Sequence, residues 1–242
     1  MTLDGTNTWL ISAPGSKRGI VIDPGPDDER HLRAVLQAAE ERGVQVVSTL
    51  LTHGHLDHSA GARRFAELTG SEVRALDPAH QYGGAGLVDG EVIELDGLRL
   101  DVVTTPGHTT DSLSFLLPEL QALLTGDTVL GRGTAVIAHP DGRLGEYLTS
   151  LTRLRDLCAS SGVELLLPGH GPVLAQPTDV LRGYLTHREA RLEQVRQALA
   201  GGARTAPEVV AVVYTDVDPS LHWAAEMSVR AQLDYLDQTE PS

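Results

Sequence analysis

Residues 53–58 read His53-Gly54-His55-Leu56-Asp57-His58, three imidazoles and a carboxylate within one short turn. The run follows residues 46–51, an apolar stretch that reads as a buried strand, and precedes residues 59–68, whose periodicity reads as a helix. A strand-to-helix turn of this kind can aim all four side chains to one side. Imidazole nitrogen and carboxylate oxygen are suitable ligands for zinc or a similar transition ion, and no thiolate is on offer. Any fold of this chain must therefore gather these groups around something that binds them.

Three more ligand-type residues occupy comparable places, each after an apolar stretch and beside a glycine. They are His108 in Thr105-Pro106-Gly107-His108, Asp127 in Leu124-Thr125-Gly126-Asp127, and His170 in Pro168-Gly169-His170-Gly171. Five histidines and two aspartates exceed the four ligands of one tetrahedral ion and suit two ions sharing a bridging carboxylate, so a dinuclear centre is expected. His31, His80, His139 and His222 fall outside this pattern and read as surface or structural histidines. Asp23, in the turn Asp23-Pro24-Gly25-Pro26, either supports the ligands from behind or only forms the turn.

The rest of the chain alternates strands with helices in two successive sets, which implies α/β architecture, sheets covered by helices. Strands are predicted at 8–11, 20–22, 46–51, 72–75, 91–95, 98–104, 112–117, 122–124 and 164–167, with helices at 28–42, 59–68 and 144–159. Gly83, Gly84 and Gly86 have no strand-to-helix frame around them and read as a plain loop. From about Pro177 only helices are predicted, at 178–200, 206–214 and 221–237. Two domains follow, 1–176 and a small, mainly helical 177–242.

Composition removes several classes of function. With 19 basic and 33 acidic residues the chain carries a net charge of −14, which argues against broad affinity for nucleic acid or an anionic membrane surface. No apolar run approaches the ~20 residues a bilayer span needs, and the start lacks the features of a signal peptide, so a cytoplasmic location without membrane contact is expected. Cys158 is the only cysteine and lies in an apolar-periodic run, which reads as a small buried hydrophobe and not a nucleophile. Oligomeric state leaves no trace in the sequence.

In order and context, His53, His55, Asp57, His58, His108, Asp127 and His170 resemble the HxHxDH, His, Asp, His signature of the metallo-beta-lactamase superfamily, over roughly residues 5–175. The resemblance implies an αββα sandwich as the catalytic domain. It further implies two zinc ions, with iron or manganese as alternatives. His53, His55 and His108 would hold one ion, Asp57, His58 and His170 the second, and Asp127 would bridge them. Zinc-dependent beta-lactamases usually carry a cysteine in the second site and diiron flavoproteins a glutamate where His55 stands, so neither branch is expected. The short intervals between His108, Asp127 and His170 leave no room for the large inserts of other nuclease branches.

Closer resemblance lies in Gly5-Thr6-Asn7-Thr8-Trp9, Gly131-Arg132-Gly133-Thr134 and Thr186-His187-Arg188. Together these are similar to the beta-lactamase-like endoribonuclease group known from mitochondria, with its bacterial and polyketide-thioesterase relatives, whose tail is a winged-helix-like module. Those relatives begin with another strand, whereas Met1 here lies almost on top of the GTNT segment; either the outer sheet lacks an edge strand or the start is misassigned. The resemblance implies a hydrolase in which two ions activate water and Asp57 either orients that water and accepts its proton or serves as a ligand only. The substrate is then single-stranded RNA or a small-molecule ester or thioester. A glyoxalase-II-like role is weaker, because a chain whose only lysine is Lys17 offers no counterpart to that family's lysine-rich glutathione contacts. A purely structural, non-catalytic metal site would close with four ligands and not seven.

Arg188 is the remaining candidate. On a helix over 181–199 it falls inside the apolar stripe of Leu181, Tyr184, Leu192 and Val195, so it either pairs with a buried carboxylate or faces the metal cleft and receives a substrate anion. His187 and Arg188 are accordingly the expected substrate-binding pair.

Overall fold

The computed structural model describes residues 5–240 apart from Asp216. The first sheet takes β1 (Trp9–Ile11), β2 (Arg18–Ile22), β3 (Gln45–Leu50) and β4 (Glu72–Arg74) in that spatial order, β1 antiparallel to β2 and the rest parallel. Residues 1–4, where the question of a preceding edge strand falls, lie outside the described residues. A second, six-stranded sheet orders β5 (Val92–Leu95), β6 (Leu98–Thr104), β7 (Leu113–Leu117), β8 (Ala122–Gly126), β9 (Leu165–Pro168) and β10 (Leu174–Ala175) sequentially, antiparallel except for the parallel pair β8 and β9.

The sheets face each other across one apolar layer, with Ile11, Ile20, Ile22 and Leu50 of the first packed against Leu100, Val102, Phe115 and Leu124 of the second. Helices α1 (Glu29–Glu41) and α3 (Ala62–Thr69) cover the outer face of the first sheet through Leu32, Ala39 and Phe65. Helices α4 (Leu144–Ser161) and α5 (Pro177–Ala200) cover the second through Tyr147, Leu151, Leu154, Cys158, Leu181 and Tyr184. This gives an αββα sandwich, and β7 and β8 are buried at every position, as strands with both faces covered should be.

The C-terminal part of α5, α6 (Ala206–Val213) and α7 (His222–Thr239) close a separate small core around Val195, Val209, Val210 and Val229. Helix α6 starts on a capping box, with Thr205 accepting from the Glu208 backbone N–H and the Glu208 carboxylate reaching back.

Two local differences from the sequence reading have physical causes. In place of one helix at 59–68 there are two, α2 (Leu56–Ser59) and α3, so Asp57 and His58 sit inside a helical turn. The break falls where Gly61 N–H donates to the Gly25 carbonyl, with the Pro26 carbonyl so close that a Cβ would meet it at 2.6 Å. The two-residue strand β10 is too short to leave a periodic signal.

Candidate metal centre

Strands β6, β8 and β9 run in a common sense within the second sheet, and the residues following them meet those following β3 at one end of the sandwich. All seven candidate ligands lie there. His53, His58, His108 and His170 are buried, Asp127 nearly so, and His55 and Asp57 face outward.

One group forms around His55 Nδ1, which is 3.0 Å from His53 Nε2 and 3.1 Å from His108 Nε2. A second forms where His58 Nε2 and His170 Nε2 approach to 3.3 Å and Asp57 Oδ2 lies 3.3 Å from His170 Nε2. Asp127 stands between them, with Oδ1 3.5 Å from His58 Nε2 and Oδ2 3.3 Å from His170 Nε2 and 3.7 Å from His108 Nε2. Within each of the trios His53/His55/His108, His53/His58/Asp127 and Asp57/His58/His170, ligand atoms lie within 4.8 Å of one another.

The far side of each ring fixes its tautomer. His108 Nδ1 faces the Val136 carbonyl at 2.8 Å, His170 Nδ1 the Gly5 carbonyl at 2.8 Å, and His58 Nδ1 the Asp23 carboxylate at 2.8 Å. These oxygens only accept, so each Nδ1 carries hydrogen and donates, leaving the Nε2 lone pair aimed inward. Thr52 Oγ1 donates to Asp23 Oδ2 at 2.6 Å and so accepts from His53 Nδ1 at 3.0 Å, which gives His53 the same tautomer. Lone pairs converging at about 3 Å repel unless a cation lies among them. Asp127 Oδ1 is buried without a hydrogen-bond partner, a further acceptor in search of positive charge. The donor set, nitrogen and carboxylate oxygen in two overlapping groups, fits a pair of divalent ions.

Electrostatics express the same demand. Burial works against charge on His58 and His170, yet the carboxylates of Asp23 and Asp127 for the first, and Asp127 and Asp57 for the second, outweigh it and raise both to about 10. Burial also opposes charge on Asp127, but the His170 and His58 imidazoles beside it hold it well below the usual carboxylate range. His53 and His108 go the other way: burial, with neighbouring imidazoles, pushes both below the ordinary value and keeps them neutral.

Glycines admit the close packing. A Cβ on Gly169 would stand 2.4 Å from Asp127 Oδ1 and 2.8 Å from His58 Cε1. Gly107, at φ +130°, lies against the Tyr147 backbone, where a Cβ would come within 2.3 Å.

Other residues bear on the site. Thr6 Oγ1 donates to Asp57 Oδ2 at 3.3 Å, and Asn7 Nδ2 donates to the carbonyls of Pro168 and Gly171 at 3.0 and 2.8 Å, strapping the GTNT segment across the His170 loop. Thr52 and the Val136 carbonyl carried no signal of their own in the sequence. Outside the centre, His31 is bonded to Thr8 and His222 to the Val217 carbonyl, whereas His80 groups with Asp77 and Asp111 within 4.8 Å, a cluster the sequence reading missed. Arg188 is buried at 6% exposure, donates to the Ala135 carbonyl and stacks 4.9 Å from the Tyr147 ring centre. Among the described residues no carboxylate stands within ion-pair distance of it, so of the two alternatives the buried ion pair is not formed, and a backbone carbonyl and an aromatic ring are its partners. His187 is exposed.

Among the described residues no helix is long and apolar enough to cross a membrane. Residues 1–170 match the metallo-beta-lactamase superfamily model and residues 205–240 the beta-lactamase-associated winged helix domain. The chain is 34% identical over 233 residues to the atrochrysone carboxyl ACP thioesterase of Aspergillus fumigatus, covering 88% of this chain and 70% of that protein. It is 32% identical over 262 residues to a beta-lactamase-like protein 2 homolog of Drosophila melanogaster, covering 98% and 84%. The fold is shared with a metallo-beta-lactamase family protein from Thermus thermophilus at a TM-score of 0.79 and 24% identity, over 97% of this chain and 89% of that one. A beta-lactamase domain protein from Burkholderia ambifaria superposes at a TM-score of 0.82 and 22% identity, over 99% and 83%. On this fold, this cluster of ligand-type side chains and these matches, the chain belongs to the metallo-beta-lactamase superfamily and carries the associated winged helix domain at its C-terminal end.

Proposed function

We propose that the chain is a dinuclear metal-dependent hydrolase of acyl thioesters or esters. The observation that carries this reading is the inward convergence of imidazole lone pairs on either side of Asp127, whose Oδ1 is buried and unpartnered. His53, His55 and His108 would hold one ion and Asp57, His58 and His170 the other, with Asp127 available to both. Zinc suits nitrogen and oxygen donors in the absence of thiolate, and iron or manganese would accept the same set. Two such ions, when bound, activate water near neutral pH and polarise the oxygen of the bond to be cleaved.

The protein's own share is positional. Asp23, Val136 and Gly5 fix three imidazoles by their Nδ1 hydrogens. Asp57, the half-exposed member held by Thr6, orients the attacking water and takes up its proton on a carboxylate oxygen. Leu56, between His55 and Asp57 in the sequence, is an aliphatic side chain left 74% exposed. A net charge of −14 opposes a polyanion, and the thioesterase named among the relatives points to an acyl substrate.

The test is turnover by the zinc-loaded full chain of an acyl thioester series, matching oxygen esters and single-stranded RNA, together with elemental analysis. Thioester hydrolysis lost in Asp127→Ala and His108→Ala, and close to two ions per chain, are expected. RNA cleavage without any thioester turnover would replace this substrate class by the phosphodiester one, and a fully active sample holding a single ion would end the dinuclear assignment.

A further inference from the structure

The C-terminal helix α5 reaches the metal centre from behind, through backbone. Tyr184 Oη accepts from Leu130 N–H at 2.9 Å and lies 3.0 Å from the Gly133 carbonyl, to which it donates. One turn later Arg188 donates through Nη2 to the Ala135 carbonyl. The very next carbonyl, that of Val136, receives the Nδ1 hydrogen of His108 at 2.8 Å. The guanidinium also lies over the ring of Tyr147, whose hydroxyl donates at 2.7 Å to the carbonyl of Thr128, the residue after Asp127. The segment 128–136 is thus held at both ends by groups that meet at Arg188, and it supports one candidate ligand at each end.

We infer that Arg188 is a positioning residue for His108: by fixing the backbone at Ala135 and Val136, it holds the His108 imidazole in the Nδ1–H tautomer with Nε2 facing the centre. Contact with substrate is disfavoured by its 6% exposure and by a donor already committed to backbone. Arg188 Nε is buried without a hydrogen-bond partner, so the side chain is not an optimised structural ion pair. A guanidinium suits this place better than lysine would, since one nitrogen can serve a carbonyl while the delocalised group lies over an aromatic ring. The apolar-stripe arginine and the strand-end histidine 80 residues before it are therefore parts of one device.

The inference rests on the reading that His108 holds an ion, but its first test does not. In the metal-free full-length protein with nitrogen-15-labelled histidine, His108 should show the Nδ1–H tautomer, and Arg188→Met should turn it into a mixture of tautomers. Zinc affinity, measured by competition with a chelating dye, should fall by about tenfold or more in Arg188→Met, the range seen when the groups that orient a ligand are removed. In a His108→Ala background the same substitution should change zinc affinity by less than about twofold, because the pathway it acts through is gone. Met fills similar space and removes a buried, partly unsatisfied charge, so folding should survive. Should it not, Ala135→Gly, which loosens the same peptide with Arg188 intact, is expected to reproduce the mixed tautomer and the weaker zinc binding. A wild-type tautomer and affinity in the folded variant would overturn the assignment, and so would equal losses in both backgrounds, which mark a merely structural role. A wild-type protein that binds no zinc would instead remove the metal reading, and the tautomer experiment would still judge Arg188.

Discussion

Asp23 stands at φ +50°, a left-handed conformation, and from there its carboxylate receives His58 Nδ1 at 2.8 Å and both the backbone N–H and the hydroxyl of Thr52, at 2.8 and 2.6 Å. Through Thr52 it orients His53 as well, so one buried acid sets the direction of two candidate ligands. Asn tolerates the same backbone conformation, which makes Asp23→Asn a clean probe of the carboxylate. The variant should fold and bind zinc about 10- to 100-fold more weakly. Wild-type affinity, measured by chelator competition, would show that Asp23 serves the turn alone.

Metal-free stability should peak near pH 6.5, the ordinary imidazole value. His58 is raised to about 10 in the folded protein, so the stability it contributes is full below 6.5 and is lost as pH climbs through 10. His53 and His108 are lowered, so below 6.5 the unfolded chain takes up protons that the folded one refuses, and stability falls on that side too. Urea unfolding in chelator at pH 5, 6.5 and 9 should give the highest midpoint at 6.5, and a monotonic trend would contradict this assignment of charges. Zinc binding near pH 7.5 should release protons from His58 and His170, detectable as calorimetric heats that vary with the buffer.

Gly169→Ala places a methyl group where Asp127 Oδ1 and His58 Cε1 already stand, 2.4 and 2.8 Å away. The carboxylate must move, and the expected result is loss of one zinc per chain with the fold intact. An Ala variant that keeps wild-type metal content and turnover would mean the loop shifts freely.

Cys158 lies in the core between α4 and the second sheet, 2% exposed, and burial raises its thiol to about 12. Such a group is neither thiolate nor nucleophile at neutral pH. Cys158→Ser should lower stability by about 1–3 kcal/mol, from burying a hydroxyl in an apolar site, and leave turnover per folded molecule unchanged. Loss of turnover in a folded, zinc-loaded sample would reopen thiol chemistry.

What the sequence made legible is what strand ends and glycines announce. His53, His55, Asp57, His58, His108, Asp127 and His170 follow apolar runs whose periodicity locates the strands, and the fold brings all seven to one end of the sandwich. The supports behind them were harder to see. The partners of His108 and His170 are carbonyls of Val136 and Gly5, and a carbonyl is present at every residue, so no side chain marks it. Arg188 announced itself as an oddity on an apolar stripe, but its partners, a carbonyl and a ring, were set by the packing of α5 on α4. The cluster of Asp77, His80 and Asp111 depends on two loops meeting, which no local pattern encodes.

The strap between Gly5 and His170 also has a bearing on when the centre comes into being. Its two ends are separated by 165 residues, so Gly5 waits through the synthesis of all of them for the imidazole it will hold. Such a contact forms only after nearly the whole sandwich has emerged, and the loop it closes is among the longest in the chain. A nascent chain therefore offers no finished metal centre to scavenge ions prematurely, because His170 is the last of the seven candidate ligands to be made.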